Sequence, residues 1–252
     1  MLKLSVTVIA FNEEKNIRDC LESVKWADEI IIVDSGSADN TAAIGKEYTD
    51  KVIYNKWEGF PAQKNFALGQ CSNEWVLSID ADERVTPGLK EEIISILNSE
   101  PEFEGYFIPR RNFFLGREIR NCGWYPDYQM RLFKKSGTIV DNRKVHEGFL
   151  IDSPKGHLKN AFIHLTHSSL HETFKKINEY STLEAEELYK KKKASPKNIF
   201  INPMAAFLSH FIVRKGYRDG VYGLMVSLIH AATKMMMYMK IWDLQRREKE
   251  KN

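Results

Sequence analysis

Two carboxylates, Asp80 and Asp82, close the apolar run Trp75-Val76-Leu77-Ser78-Ile79, with a single alanine between them. Residues i and i+2 of an extended chain point the same way, so the pair can share one face at a strand's end. Carboxylates that close repel each other, and a pKa rises unless a cation or hydrogen-bond donors neutralise them. Oxygen ligands of this kind suit Mg2+ or Mn2+, above all where phosphate oxygens complete the shell. A D-x-D alone also occurs in ordinary acidic turns, so its surroundings decide what it means.

Other residues could join it. Asp34 closes a second apolar run, where it can bind a ligand or cap its own turn. Asp127 follows Pro126 and can serve as a general base or as a plain turn residue. Lys64, Arg110 and Arg131 can pair with a diphosphate or with surface and structural anions. His146, beside Glu147, can be a third metal ligand or half of a satisfied loop pair. His164, His167 and His171 have helical spacing that could suggest a metal, but no acidic partner is placed with them and they are read as structural.

The elements that must position these groups follow from pattern. Leu4 to Ala10 reads as a buried strand with Phe11 at its carboxyl end. Asn12 is expected to cap the next helix, with Glu13 and Glu14 in its first turn. Glu29 to Val33 is a second strand, ending at Asp34-Ser35-Gly36-Ser37. Lys51 to Tyr54 is a short third strand, Pro61 to Leu68 a helix, Trp75 to Ile79 a fourth strand, and Thr86 to Leu97 a helix. This alternation predicts an α/β fold, a mostly parallel sheet flanked by helices. Ligands of such sheets bind beyond the carboxyl ends of the strands. The clusters Asn12-Glu13-Glu14, Asp34-Ser35-Gly36 and Asp80-Ala81-Asp82 all fall there, and should converge on one rim.

The chain has 252 residues, 43% hydrophobic and 28% charged, enough for a large core without staples. Its net charge of +3 is too small to argue for nucleic acid. Three scattered cysteines without a Cys-x-x-Cys fit a reducing compartment and exclude a disulfide framework or a zinc site from the expectations. The N-terminal apolar stretch is read as the first strand and not as a leader, which implies folding in the cytoplasm.

From Gly105 to about Val145 short strands alternate with aromatic loops, and His164 to Lys193 is expected to be helical. Lys190 to Lys197 is the best linker candidate. Residues 1–160 are expected to form the catalytic domain and 161–252 a helical C-terminal region.

In order, the chain carries Phe11-Asn12-Glu13-Glu14, Val33-Asp34-Ser35-Gly36-Ser37-Ala38-Asp39, Ile79-Asp80-Ala81-Asp82-Glu83 and Pro126-Asp127-Tyr128-Gln129-Met130-Arg131-Leu132-Phe133. Together these resemble the family 2 glycosyltransferases of the GT-A fold over about residues 4 to 150. Val145-His146-Glu147 and the tail from Asn202-Pro203 resemble the bacterial β-glucosyltransferases of lipopolysaccharide inner-core synthesis. The resemblance implies that Phe11 stacks on a nucleotide base and that Glu13 or Glu14, with Asp34, contacts base and ribose. It implies Asp80 at the ribose or metal, Asp82 at the metal bridging the diphosphate, and Asp127 as catalytic base. Asn12, Ser35, Lys64 and Arg131 complete the nucleotide-sugar candidates, and His146 the metal set. Ser35 stands where many relatives have a second acid, Asp127 is single, and Gln129-Met130-Arg131-Leu132 lacks the usual Trp; base identity therefore stays open.

The implied chemistry agrees with the residue types. Displacing a diphosphate from an anomeric carbon calls for a divalent cation on the leaving group and a carboxylate on the acceptor hydroxyl. The expected activity is metal-dependent, inverting transfer of a hexose, glucose from UDP-glucose, onto a lipid-linked glycan such as a lipopolysaccharide core. A nucleotidyltransferase, or a non-catalytic nucleotide-sugar-binding scaffold, would share the sheet and the acids. Toward the C-terminus, 198–213 and 221–233 hold no Asp, Glu, Lys or Arg, yet neither run reaches the ~20 residues needed to span a bilayer. Such a profile fits helices lying in a membrane interface, at the inner face of the cytoplasmic membrane, or a hairpin packing on a second subunit.

Overall fold

The computed structural model describes residues 2–141 and 148–251, so His146 lies outside the described residues. Four strands, β1 (Leu4–Ala10), β2 (Glu29–Asp34), β3 (Val52–Tyr54) and β4 (Trp75–Asp80), pair in parallel in the order β3-β2-β1-β4. Their near-continuous apolar sequences match burial on both faces: Leu4, Val6, Val8, Ile31, Ile32, Val76 and Leu77 are inaccessible to solvent or nearly so. Helices α1 (Ile17–Val24), α2 (Thr41–Gly45) and α3 (Phe60–Gly69) make the crossovers. In α1, Ile17, Cys20, Leu21 and Val24 recur at helical spacing and bury one face.

Beyond β4 the sheet continues antiparallel, through β8 (Asp127–Lys134) to its partner β6 (Gly105–Phe114). It ends with β12 (Phe162–His167) and β5 (Glu83–Val85), which pair antiparallel. The result is a mixed sheet of the GT-A type, parallel across β1 to β4, with a short parallel pairing of Lys155–His157 on β6 as well. Helix α4 (Pro87–Asn98) starts where predicted: Thr86 Oγ1 accepts from Leu89 N, and Pro87 takes the first turn.

Three local expectations are corrected. Asn12 does not cap α1, which begins at Ile17 after Asn16; Asn12 has φ 55° and turns the chain instead. The extended chain ends at Asp80, Ala81-Asp82 form a turn, and Glu83 opens β5, so Asp80 and Asp82 are not i and i+2 of one strand. His164 lies on β12, and the helix α5 (Leu170–Leu188) starts later, with Ser169 Oγ accepting from Glu172 N.

The chain divides into two compact units, Met1–Arg111 with Asp127–His164, and Asn112–Pro126 with Leu165–Asn252. The first contains the parallel strands and every described candidate residue. In the second, α5, α6 (Pro196–Leu208) and α7 (Gly220–Lys251) pack together. One of its cores joins Phe114, Ile119, Cys122 and Val226, and another joins Ala185, Ala194, Met237 and Ile241.

Candidate active site

Strand register sets the rim. Asp34 pairs with Ala10 and Asp80 with Ile9, so the two acids flank the last two residues of β1. They stand two strand spacings apart, roughly 9–10 Å. The loops after β1 and β2 are knitted together. Asn12 N donates to Ser37 Oγ (2.8 Å) and Ala38 N to Asn12 Oδ1 (2.8 Å). Glu13 N donates to Thr41 Oγ1 (2.7 Å), and Glu14 accepts from Asn40 N (3.2 Å). Asn12 and Glu14 therefore brace this rim through their own polar groups. Phe11 is 56% exposed, open for stacking.

Asp34 is also bound within its own loop. Its carboxylate accepts from Gly36 N and Ser37 N (both 2.9 Å) and from Ser37 Oγ (2.5 Å), while Gly36 holds φ 93°. The turn-capping alternative is thus the arrangement present. Ser35 Oγ accepts from Gln63 Nε2 (3.0 Å), and the fully buried Gln63 amide also bonds Asn55 O (2.9 Å). Nothing in the local sequence of Gln63 marks it as the tie between α3 and this loop.

A buried ladder of alternating charge runs from the D-x-D turn to Asp127. Arg131 donates to Asp80 and, at 2.8 Å, to Glu83 Oε1. Arg110 Nη1 reaches the same Glu83 oxygen at 3.2 Å, and Arg110 Nε and Nη2 donate to Asp127 Oδ2 at 2.9 and 2.6 Å. Gln129 Nε2 donates to Asp127 Oδ1 at 2.9 Å. Asp80 N also donates to Glu83 Oε2 (3.0 Å), closing the turn, and Arg84 Nη1 holds the carbonyls of Ala81 and Glu83.

Electrostatics follow from this packing. Burial alone would push the Asp80 carboxyl up, but Arg131 and Lys64 more than reverse it and hold Asp80 far below the usual range. Burial works against the Arg131 cation, yet Asp80 and Glu83 raise its pKa well above normal. Arg131 is 4% exposed, with both carboxylates on its guanidinium. In this arrangement it serves as counter-ion to Asp80 and Glu83, the structural alternative that its sequence position left open beside the diphosphate. Lys64 is buried on α3, with Nζ 5.6 Å from the Phe149 ring centroid.

Asp82 takes a different partner. His164 Nε2 lies 3.5 Å from Asp82 Oδ2, with both side chains largely covered. Pairing of β12 with β5 places His164 directly opposite Glu83. The carboxylate oxygen suits Mn2+ or Mg2+, which retain waters and take substrate phosphates as further ligands, and an imidazole nitrogen beside it favours the softer Mn2+ of the two. Among the described residues no group of three or more His, Cys, Asp or Glu is placed to hold a metal. The sequence sets His164 aside because it places no acid beside it; the partner Asp82 lies far upstream and meets it only through the pairing of β5 with β12.

The family described as Glycosyl transferase family 2 matches residues 5–151. The chain is 33% identical to the lipopolysaccharide core biosynthesis glycosyltransferase LpsC of Rhizobium meliloti, over 96% of this chain and 93% of that protein. It is 30% identical to an uncharacterised glycosyltransferase of Rickettsia typhi, over 97% and 88%. Among solved structures, the mannosyltransferase PcManGT of Pyrobaculum calidifontis, in complex with GDP-Man and Mn2+, superposes with a TM-score of 0.53. Its identity is 14%, over 96% of this chain and 87% of that one. TarS 1–349 of S. aureus, in complex with UDP-GlcNAc, gives 0.50 at 16% identity, over 98% and 92%. At these identities the structural likeness establishes the fold alone.

Proposed function

The chain belongs to glycosyl transferase family 2 and is a glycosyltransferase, and on that premise we propose that it moves a hexose, glucose from UDP-glucose, onto a lipid-linked glycan of the lipopolysaccharide-core kind. The similarity to LpsC along nearly the whole of both chains supports the acceptor class. The observation that carries the reading is the ladder joining Asp80 to Asp127 through Arg131, Glu83 and Arg110. It supports one reaction centre with a diphosphate side and an acceptor side.

Asp127 accepts the proton of the acceptor hydroxyl as that oxygen attacks the anomeric carbon. The bond from that carbon to the diphosphate oxygen breaks, and the nucleoside diphosphate leaves with the electron pair. One displacement inverts the anomeric centre. Glu83 is fully buried between Arg131 and Arg110 and so cannot reach the sugar as a second nucleophile, which supports the single displacement. Asp82 and His164 fit a Mg2+ or Mn2+ ion, with His146 as a further candidate; when bound, the ion would draw charge from the departing diphosphate. Lys64 would add a cation on that side, and Phe11 a stacking face for the base. Asp127 keeps its place because Arg110 and Gln129 hold its two oxygens.

Such an acceptor places the enzyme at the inner face of the cytoplasmic membrane, in peripheral contact through the C-terminal region. No described helix is long and apolar enough to cross a membrane. A thermal-shift panel of UDP-, GDP-, ADP- and CMP-sugars, with and without Mn2+, tests the donor. The reading expects a metal-dependent rise with UDP-glucose. No shift with any nucleotide sugar would favour a non-catalytic scaffold.

A further inference from the structure

Between Asn198 and Trp242 the chain has a single acid, Asp219, against Arg214, Lys215, Arg218, Lys234 and Lys240. Asp219 is buried and accepts from Asn121 N (2.9 Å) and Nδ2 (3.1 Å). Lys234 pairs with Glu184 at 2.8 Å, and Lys240 donates to Asn178 O and Thr182 Oγ1. The cations left over, Arg214, Lys215 and Arg218, are exposed and have no carboxylate partner among the described residues. All three sit in the turn between α6 and α7, among Ile212, Val213 (74% exposed), Tyr217 and Val221 (61% exposed).

The apolar exposure continues along both helices. On α7, Val221, Leu224, Leu228, Met235, Met239 and Trp242 are exposed. Their successive intervals of three, four, seven, four and three put them on one side of a helix. Val226, Met237 and Ile241 are buried within the same unit. On α6, Phe200, Ile201, Met204 and Leu208 are exposed.

The turn is built rigidly. A Cβ on Gly223 would stand 1.9 Å from Gly216 O, so only glycine lets α7 approach this closely. His210 Nδ1 lies 2.7 Å from Cys122 O, and Cys122 N donates to Arg214 O at 3.0 Å. An apolar tip already fixed in shape loses less conformational entropy on docking.

We propose that the α6–α7 turn is a preformed wedge that docks on an anionic lipid surface. Ile212, Val213, Tyr217 and Val221 enter the acyl boundary while Arg214, Lys215 and Arg218 meet headgroup phosphates. The exposed faces of α6 and α7 give the same docking surface its length. Charge decides against a second copy: this face offers its own like no exposed acid, and self-pairing would set unpaired cations together. The inference rests on the reading that the C-terminal region contacts a membrane, and it is independent of donor chemistry.

The test is flotation of the full chain with vesicles of phosphatidylcholine containing about a third phosphatidylglycerol, against phosphatidylcholine alone. Binding is expected with the anionic vesicles only, and is expected to fall with salt. Lys215→Glu with Arg218→Glu should weaken it at least tenfold, on the scale of about fivefold per cation removed. Val213→Asp should weaken it similarly. Both variants should keep the melting temperature and the donor-induced thermal shift of the parent. Variants that float like the parent would overturn the wedge. If replacing Lys190 to Lys193 by Gln abolishes flotation instead, the membrane reading stands and the wedge fails. No flotation of the parent on anionic vesicles would remove both. A parent dimer that Val213→Asp splits would assign this face to a second copy and overturn the proposal.

Discussion

His164 Nε2 stands 3.5 Å from Asp82 Oδ2, although the two residues are 82 positions apart in the chain. A strand pairing makes the meeting: β5 follows the Asp80-Ala81-Asp82 turn at once, and β12 lies antiparallel beside it. On the proposed reading the pair would offer one oxygen ligand from the turn after β4 and one nitrogen ligand from β12. Asp80, by contrast, faces Arg131. The two acids of the D-x-D thus have separate electrostatic partners.

Asp127 and Arg110 are cross-strand partners in β8 and β6, and the guanidinium holds one carboxylate oxygen with two donors. Asp127→Asn should lower kcat about 10²- to 10⁴-fold while donor affinity stays within a few-fold. Arg110→Lys keeps the charge but loses the fork, and should lower kcat less, with donor binding again unaffected. Rates of nucleotide release, with donor titration calorimetry alongside, check both. Equal turnover of Asp127→Asn and the parent would remove the base.

Removing Arg131 leaves Asp80 and Glu83 without their shared counter-ion in a buried setting. Arg131→Ala should cost about 3–5 kcal/mol of stability, because Asp80 is left uncompensated and Glu83 keeps only Arg110. Asp80→Asn should cost less, since Glu83 still pairs with Arg131. Urea denaturation followed by circular dichroism ranks the two; the reverse order would contradict the ladder.

Much of this fold is legible in the sequence, and the reasons are local. The runs Leu4–Ala10, Glu29–Asp34 and Trp75–Asp80 are apolar, strand-length and closed by a polar cluster, so both their type and their carboxyl ends are visible. Thr86-Pro87 announces α4 through a side-chain cap and a proline that needs no donor. What was not legible depends on distant partners. Glu83 reads as one more acid in a turn; its burial comes from Arg110 and Arg131 on other strands. His164 sits in a six-residue strand that runs into a helix, and the strand's partner is far upstream. Asn12 has the composition of a cap, but its positive φ, fixed by bonds to Ser37 and Ala38, gives it another task.

Acid should weaken the first unit through Glu29. Burial raises its pKa, but Lys51, Ser5 and Ser72 bring it down from the ordinary 4.5 to about 2. The folded state therefore holds this carboxylate more acidic than the unfolded chain does. The stabilisation is complete above about 4.5 and is lost as pH falls through about 2. Glu29→Gln should lower stability at pH 7 by up to about 3 kcal/mol and flatten the acid limb. Melting temperatures from pH 7 to pH 2 check it; a limb of unchanged slope in the variant would assign acid sensitivity elsewhere.

On the proposed mechanism, Asp82 and His164 together hold the divalent cation that meets the diphosphate. Electron spin-echo modulation of Mn2+ added to the full chain with UDP reads it directly, since a coordinated imidazole nitrogen imprints its own frequencies. Nitrogen modulation is expected in the parent, its loss in His164→Ala, and a roughly 10- to 100-fold weaker Mn2+ affinity in Asp82→Ala. Modulation that survives unchanged in His164→Ala, with parent-like Mn2+ affinity in both variants, would contradict it.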